Sequence, residues 1–238
     1  MTRHRSARLA VALLAIPVLL AACTGGSSTP TAAPVTAAPS AAPPAATTPV
    51  AAGVYPDGCP TAQPAALTAD DVRNVTIKTD KGDIVVEIKG SLSPIATGNF
   101  VALAECGYYD GVVFHRVVPG FVIQGGDGLY GRSPNVDPSQ VGTGGPPYTI
   151  QDEPVTATYG RGTVAMARSS APNSVGSQFF IVTDDAAQPP LASANTYQII
   201  GTVTSGMETV DAIVNAPRNA QDFPDAPVVM NDVSVATP

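Results

Sequence analysis

The sequence predicts a mainly β fold, an antiparallel barrel or sandwich, for the larger part of the chain. Many short segments rich in β-branched and aromatic residues are separated by turn residues, and only two segments carry apolar residues at helical spacing. Strands that follow one another without helices between them favour antiparallel pairing over a parallel βαβ sheet.

The N-terminal residues predict export rather than folded structure. Residues 1–8 contain three arginines, and residues 9–22 are uncharged and apolar. This run is shorter than the about 20 residues that span a membrane, and we interpret residues 1–22 as a signal peptide. The adjoining LAAC sequence resembles the lipobox of bacterial lipoproteins, which implies a lipid on Cys23. The alternative is an ordinary cleavage site with an incidental cysteine.

Composition divides the rest of the chain into three parts. Residues 23–54 are mostly Ala, Pro, Thr, Ser and Gly, and we expect a disordered tether because so few large apolar groups are available for burial. Residues 55–71 form an N-terminal extension, and residues 72–238 form the folded domain. The protein is then extracytoplasmic and anchored to the cell membrane by its lipid. The net charge of −7 argues against nucleic-acid binding.

Two cysteines lie beyond the lipobox, Cys59 and Cys106. Because an exported protein meets an oxidising compartment, we predict a disulfide that ties residues 55–70 to the folded domain. The alternative is two free thiols. No Cys-x-x-Cys or paired-histidine pattern accompanies them, so no metal site is predicted.

The strands and helices follow from local signals. Val75–Lys78 and Asp83–Ile88 alternate around a glycine-containing turn and predict a hairpin. Ser93 followed by Pro94 is typical of a helix N-terminus, with serine as the side-chain cap, and this helix continues to Cys106. The further expected strands are 112–118, 121–124, 162–167, 178–183, 197–203 and 228–235, with a second helix over 206–215 and loops over 125–147 and 184–196.

Several chemistries lack the residues that they need. His115 is the only histidine beyond the signal peptide, and no nucleophile elbow accompanies it, so we expect it to pack and to hydrogen-bond the backbone rather than to act as a base. Gly125-Gly126-Asp127 lacks the lysine of a phosphate-binding loop. Asp152 and Glu153 are expected to be solvated. No cofactor is predicted.

Aromatic and hydrogen-bonding side chains are concentrated in two segments. The first, Phe114–Asp127, contains Arg116 and Gln124 among apolar residues, and the second places Gln178 before Phe179-Phe180. Because side chains alternate along a strand, Phe114 and Arg116 are expected to share a face. A guanidinium is costly to bury without a partner, which indicates a cleft position.

These two segments resemble the signature sequences of the cyclophilins, the peptidyl-prolyl isomerases. The resemblance runs from about Val75 to Val235, and Met166-Ala167-Arg168-Ser169 is similar to the bacterial forms. It implies a closed eight-stranded antiparallel barrel capped by two α-helices. It also implies isomerisation of X-Pro bonds in proline-containing peptides and unfolded exported proteins. We expect a monomer.

The resemblance also implies roles for individual residues. Arg116 matches the catalytic arginine, with Gln124 and Phe121 beside it. The substrate-binding positions implied are Val122, Ala167, Gln178, Phe180, Leu191 and Tyr197. Strand alternation adds Phe114, on the face expected for Arg116, as a further substrate-binding residue.

Two positions depart from the family pattern. The chain has no tryptophan, and the family's pocket tryptophan, which supports cyclosporin binding, aligns near Pro190; tight cyclosporin binding is therefore not expected. Tyr197 stands where many cyclophilins carry a histidine. Two rival hypotheses are a cyclophilin-fold chaperone or binding module without turnover, and a β-sandwich solute-binding lipoprotein.

Overall fold

Residues 55–236 are described by a computed structural model. The predicted signal peptide, Cys23 and the tether lie outside these residues. Within 55–236, none of the helices combines the length and the apolar character needed to cross a bilayer.

The described residues form eight strands and three α-helices. In chain order they are β1 Val72–Thr79, β2 Gly82–Lys89, α1 Pro94–Glu105, β3 Phe114–Val118, β4 Val122–Gly125, β5 Thr163–Met166, β6 Phe179–Val182, α2 Gln188–Ala194, β7 Ile199–Ser205, α3 Met207–Val214 and β8 Met230–Ala236. A 3-10 turn, Asp185–Ala187, leads into α2. The eight predicted strands are confirmed within a few residues, as are α1 and α3. The prediction of only two helices is wrong, because α2 occupies the segment expected to be a loop.

All eight strands belong to one antiparallel sheet in the order β3-β4-β6-β5-β7-β2-β1-β8. The two edges meet just before β3 and β8, where Val113 and Val229 form an antiparallel bridge. The amide of Phe114 donates to the Val228 carbonyl at 3.0 Å, and that of Met230 donates to the Val112 carbonyl at 2.8 Å. The sheet is therefore curled, which is compatible with the predicted closed barrel.

Each strand near the site sends alternate side chains into two separate apolar clusters. Ile123 of β4 and Ile181 of β6 belong to the main core, together with Phe179. Their neighbours Val122 and Phe180 belong to the second cluster, on the opposite face of the sheet. This second cluster is where the predicted site residues gather.

The N-terminal extension is fixed to α1 by a disulfide and by close backbone packing. Cys59 and Cys106 are bonded, with their Cα atoms 5.2 Å apart, as predicted. The Leu67 amide donates to the Pro94 carbonyl at 3.0 Å. A Cβ at Gly98 would lie 2.2 Å from the Ala65 carbonyl oxygen, so the glycine allows the extension to lie directly on the helix.

The N-terminus of α1 is capped by a distant carboxylate rather than by its own serine. Ser93 occupies the N-cap position, but its side chain makes no capping hydrogen bond. Glu153 accepts hydrogen bonds instead from the amides of Ile95 and Ala96, both at 2.9 Å, and from Gln198 at 3.0 Å. Free amides and the helix dipole both favour an anion here. The expectations of a serine cap and of a solvated Glu153 were wrong.

Asp152 also has partners within the fold. It lies 3.0 Å from the guanidinium of Arg168, whose side chain is only 10% exposed. Asp152 also accepts from the Asn173 amide at 2.9 Å, while its own amide donates to the Asn173 side chain. The acidic pair is thus structural, and the expectation that Asp152 is solvated was wrong.

A bulge at His115 decides which face each side chain of β3 occupies. Phe114 pairs with Gly125 and Arg116 pairs with Gln124, so two residues of β3 stand opposite one residue of β4. Phe114 therefore points into the main core, where it is fully buried, and Arg116 joins Gln124 on the other face. The expectation that Phe114 and Arg116 share a face was wrong because regular alternation does not hold across a bulge.

His115, the bulged residue of β3, is buried. Its side chain is enclosed, and neither ring nitrogen has a partner within the described residues. The expected backbone hydrogen bond is therefore absent there. Desolvation lowers the pKa of His115 to about 4; the nearby Asp127 carboxylate opposes this shift and the Arg116 guanidinium adds to it. The ring is neutral at pH 7.

We expect replacement of Cys59 by serine to lower the free energy of unfolding by about 2–4 kcal/mol, because the bond closes a loop of 47 residues and restricts the unfolded chain. Urea unfolding of both proteins, in buffer without oxidant or reductant, measures the difference in unfolding free energy. Reduction of the unmutated protein serves as the control and should produce a similar change. Equal unfolding free energies with and without the bond would contradict this expectation.

We expect His115 to make stability depend on pH between about 6.5 and 4. Its folded-state pKa is lowered, so the unfolded state binds the proton more readily. The contribution is complete above the unfolded pKa of about 6.5 and is lost as pH falls towards 4, by about 3 kcal/mol. Replacing His115 with leucine should remove this component from unfolding curves measured at several pH values. A constant difference in unfolding free energy between the two proteins from pH 4 to 7 would refute it.

Candidate functional site

The candidate site is a surface of the sheet built by register between β4, β6 and β5. Val122 stands opposite Val182, and Gln124 stands opposite Phe180. Ala165 of β5 is the other partner of Phe180. Because these pairs share one face, the register alone brings an amide side chain to the edge of an apolar surface.

The apolar part of the surface has walls from three elements. Phe121 follows Gly120, whose φ of +69° permits the turn after β3. The Phe121 carbonyl accepts a hydrogen bond of 2.9 Å from the Thr183 amide. Phe121 is half-buried, whereas Phe180 and Leu191 are buried. Leu191 comes from α2, so the unpredicted helix supplies one wall. These residues, with Val122, form one contiguous cluster.

Tyr197 and Ala167 complete the rim of this cluster. The Tyr197 ring meets Phe180 edge-on, with centroids 5.4 Å apart. Its carbonyl accepts a hydrogen bond of 2.9 Å from Tyr159, a buried residue that the sequence analysis did not single out. The Ala167 amide donates to the Gln178 carbonyl at 2.8 Å. Tyr197 and Ala167 are both half-buried.

Arg116 lies beside the apolar surface as the cross-strand neighbour of Gln124. Its side chain is half-buried, and within residues 55–236 its guanidinium takes part in none of the ion pairs or hydrogen bonds. The adjacent His115 is neutral and adds no competing charge. Residues 55–236 therefore leave all five guanidinium N–H donors to an acceptor from elsewhere.

Gln124 and Gln178 form a hydrogen-bonded pair. Nε2 of Gln124 donates to Oε1 of Gln178 at 2.9 Å, and Nε2 of Gln178 donates to the Gly144 carbonyl at 2.9 Å. Both side chains are half-buried. The amides thus reach the cleft with defined directions rather than as free rotors.

A buried tyrosine holds the backbone that precedes Gln178. Tyr108 shares a hydrogen bond of 2.9 Å with Ser177, which donates to the Gly126 carbonyl at 2.7 Å. The Tyr108 hydroxyl also accepts from the Gly128 amide at 3.2 Å. Burial raises the pKa of Tyr108 to about 12, so the hydroxyl keeps its proton. Two adjacent tyrosines in the sequence gave no signal of this role.

The structure brings nine of the ten predicted site residues to one region and excludes the tenth. Phe114 has no exposed surface, and its ring packs against Phe179 in the main core, so its assignment to substrate binding is corrected. Within residues 55–236 no cluster of His, Cys, Asp and Glu could hold a metal ion. The region offers hydrogen-bond donors, amide acceptors and a partly exposed apolar cluster.

The chain resembles known proteins over most of the described domain. A family model described as cyclophilin type peptidyl-prolyl cis-trans isomerase/CLD matches residues 74–235. A probable peptidyl-prolyl cis-trans isomerase of Brucella abortus is 42% identical over 150 residues, covering 62% of this chain and 74% of that protein. A peptidyl-prolyl cis-trans isomerase of Acinetobacter baylyi is 36% identical over 166 residues, covering 68% and 84%.

Solved structures agree with the sequence relatives. A cyclophilin type peptidyl-prolyl cis-trans isomerase of Cryptosporidium parvum superposes with a TM-score of 0.59 at 32% identity, covering 71% of this chain and 99% of that one. A second structure of that protein, in the presence of the dipeptide Ala-Pro, gives a TM-score of 0.58 at 33% identity, covering 69% and 99%. The chain therefore belongs to the cyclophilin-type peptidyl-prolyl cis-trans isomerases.

Proposed function

We propose that the Arg116 cleft rotates X-Pro bonds of exported proteins without a covalent intermediate and without proton transfer. The observation that carries this proposal is the half-buried Arg116, which pairs with no carboxylate in residues 55–236 and stands beside the apolar cluster of Phe121, Phe180 and Leu191. The hypothesis of a solute-binding β-sandwich predicts that Arg116 forms an ion pair in the core. Arg116 forms no such pair within residues 55–236.

Amide resonance sets the barrier that such a site must lower. The barrier to rotation is about 18–20 kcal/mol, and it falls when the nitrogen becomes pyramidal and loses conjugation with the carbonyl. A guanidinium that donates a hydrogen bond to the prolyl nitrogen stabilises that geometry. The lone pair of this nitrogen can accept a hydrogen bond only when the amide resonance is broken. Arg116 is the candidate for this donor.

The pocket and the glutamines hold the two sides of the bond. Phe121, Phe180 and Leu191 would enclose the proline ring by apolar contact, keeping it still while the preceding carbonyl turns. Gln124 would hydrogen-bond the peptide on the reacting side. With the ring fixed and the carbonyl free to turn, the contacts stabilise the twisted bond more than the planar one. This lowers the barrier to rotation.

Replacing Arg116 with alanine should lower kcat/KM for an X-Pro peptide at least tenfold, because one transition-state donor is worth about 3 kcal/mol. A protease-coupled assay measures the rate. Arg161 provides a matched control, since it pairs with Asp211 at an exposed position and its replacement by alanine should leave the rate unchanged. Unchanged turnover in the Arg116 variant would overturn the mechanism. Peptide binding without turnover by the unmutated protein would favour the binding-module hypothesis.

We further propose that the protein works outside the cytoplasm on a lipid anchor. The apolar run before Cys23 supports export, and the Cys59–Cys106 disulfide is consistent with an oxidising compartment. The clients would then be unfolded exported proteins, bound by a monomer. Because Pro190 is exposed on α2 and the chain lacks tryptophan, we propose that cyclosporin binds weakly.

Intact-mass analysis of the membrane fraction should find a chain that begins at Cys23 and carries added lipid mass. Replacing Cys23 with serine should release the protein from membranes, because the lipid would have no attachment point. A membrane-bound serine variant, or an unmodified Cys23 in the native protein, would contradict the anchor.

A further inference from the structure

Asp127 is a fully buried carboxylate that organises the loop after β4. One oxygen accepts hydrogen bonds from the amides of Leu129 and Tyr130 at 3.0 and 2.9 Å. The other accepts from the amides of Gly142 and Gly144 at 2.8 and 2.9 Å. Four amides from two ends of one loop thus meet on a single side chain that is 0% exposed.

The far end of this loop, at Gly144, contacts the hydrogen-bonded pair of Gln124 and Gln178. The amide of Gly144 donates to Asp127, while its carbonyl accepts from Gln178 at 2.9 Å. A Cβ at Gly144 would lie 2.4 Å from an Asp127 oxygen, so the two groups are in direct contact. The position of that carbonyl therefore depends on Asp127.

The Gly144 carbonyl determines the direction of both amide side chains. A carbonyl can only accept, so Gln178 must present its NH₂ group to it and its oxygen to Gln124. Gln124 must in turn present its own NH₂ group to that oxygen. The Gln124 oxygen is then the end that stays free for a ligand among residues 55–236, and Arg116 is the cross-strand neighbour of Gln124.

We propose that Asp127 is a positioning residue for the isomerase reaction, which acts through Gly144 and Gln178 to orient the Gln124 amide. The inference rests on the proposed role of Gln124 in the cleft. Asp127 itself touches neither the pocket nor the substrate. Without its carboxylate the Gly144 carbonyl shifts, and the glutamine pair loses its fixed direction.

Asparagine is the informative replacement because it keeps the size of the side chain but not its acceptors. One end of its amide is a donor, which cannot satisfy the two amides that face it. We expect Asp127→Asn to lower kcat about tenfold while KM changes less than about twofold, as for an interaction expressed in the transition state. The side-chain amide signals of Gln124 and Gln178 should also shift in ¹⁵N NMR spectra.

A double-mutant cycle separates positioning from general destabilisation. In a Gln178→Ala background, Asp127→Asn should cost less than about twofold in kcat, since the connection is already broken. Glu153→Gln is the matched control, because it weakens another carboxylate that accepts from backbone amides. That variant should lose stability and keep its kcat.

Distinct results would overturn the inference. It fails if Asp127→Asn lowers stability but leaves kcat and both glutamine signals as in the unmutated protein, or if its effect persists in the Gln178→Ala background. If Asp127→Asn does not fold, Gly144→Ala displaces the same carbonyl and must give the same kcat loss and signal shifts. An Arg116→Ala variant with unchanged kcat/KM would instead refute the proposed mechanism of the cleft, whatever the result for Asp127.

Discussion

The site depends on one extra residue in β3. The bulge at His115 lets Phe114 face the core while Arg116 faces the cleft, although only one residue separates them. Without it, the buried Phe114 and the proposed substrate contact Arg116 would lie on the same face of the strand. Among the described residues the bulged histidine has no hydrogen-bond partner, and burial lowers its pKa to about 4. The loss of stability predicted at acidic pH would thus arise from the same bulge that separates Arg116 from the core.

The core-facing side of the sheet holds the side chains of the candidate site in place. Phe180 and Val122 are fixed because Phe179 and Ile123, their strand neighbours, are locked in the main core. In the proposed mechanism these fixed side chains hold the proline ring, and Arg116, which forms no ion pair within residues 55–236, supplies the donor. Gln124 and Gln178 reach the same place through register and a chain of hydrogen bonds that ends at Asp127.

The sequence predicted the features that follow from local patterns. Alternation and turn residues predicted the strands, Ser93-Pro94 predicted the start of α1, and the two remaining cysteines predicted their bond. Features that depend on contacts between distant parts of the chain could not be predicted from local sequence patterns. Glu153 caps a helix more than 50 residues earlier in the chain, and α2 has two prolines in its first turn and no strong apolar period. The family resemblance supplied the other proposed cleft residues, whereas regular strand alternation put Phe114 on the wrong face, because the sequence gives no sign of the bulge between Phe114 and Arg116.

The central claim is that rotation is driven by a permanently charged donor and a rigid pocket, with no group that gains or loses a proton. The most direct test is the pH dependence of kcat/KM for a non-ionising X-Pro peptide, measured in H₂O and D₂O. Arginine stays charged, and His115 is neutral well below pH 6, so we predict a flat profile from about pH 6 to 9 and a solvent isotope effect near one. A rate that rises or falls with a pKa in that range, together with a solvent isotope effect above about two, would show proton transfer and contradict the account.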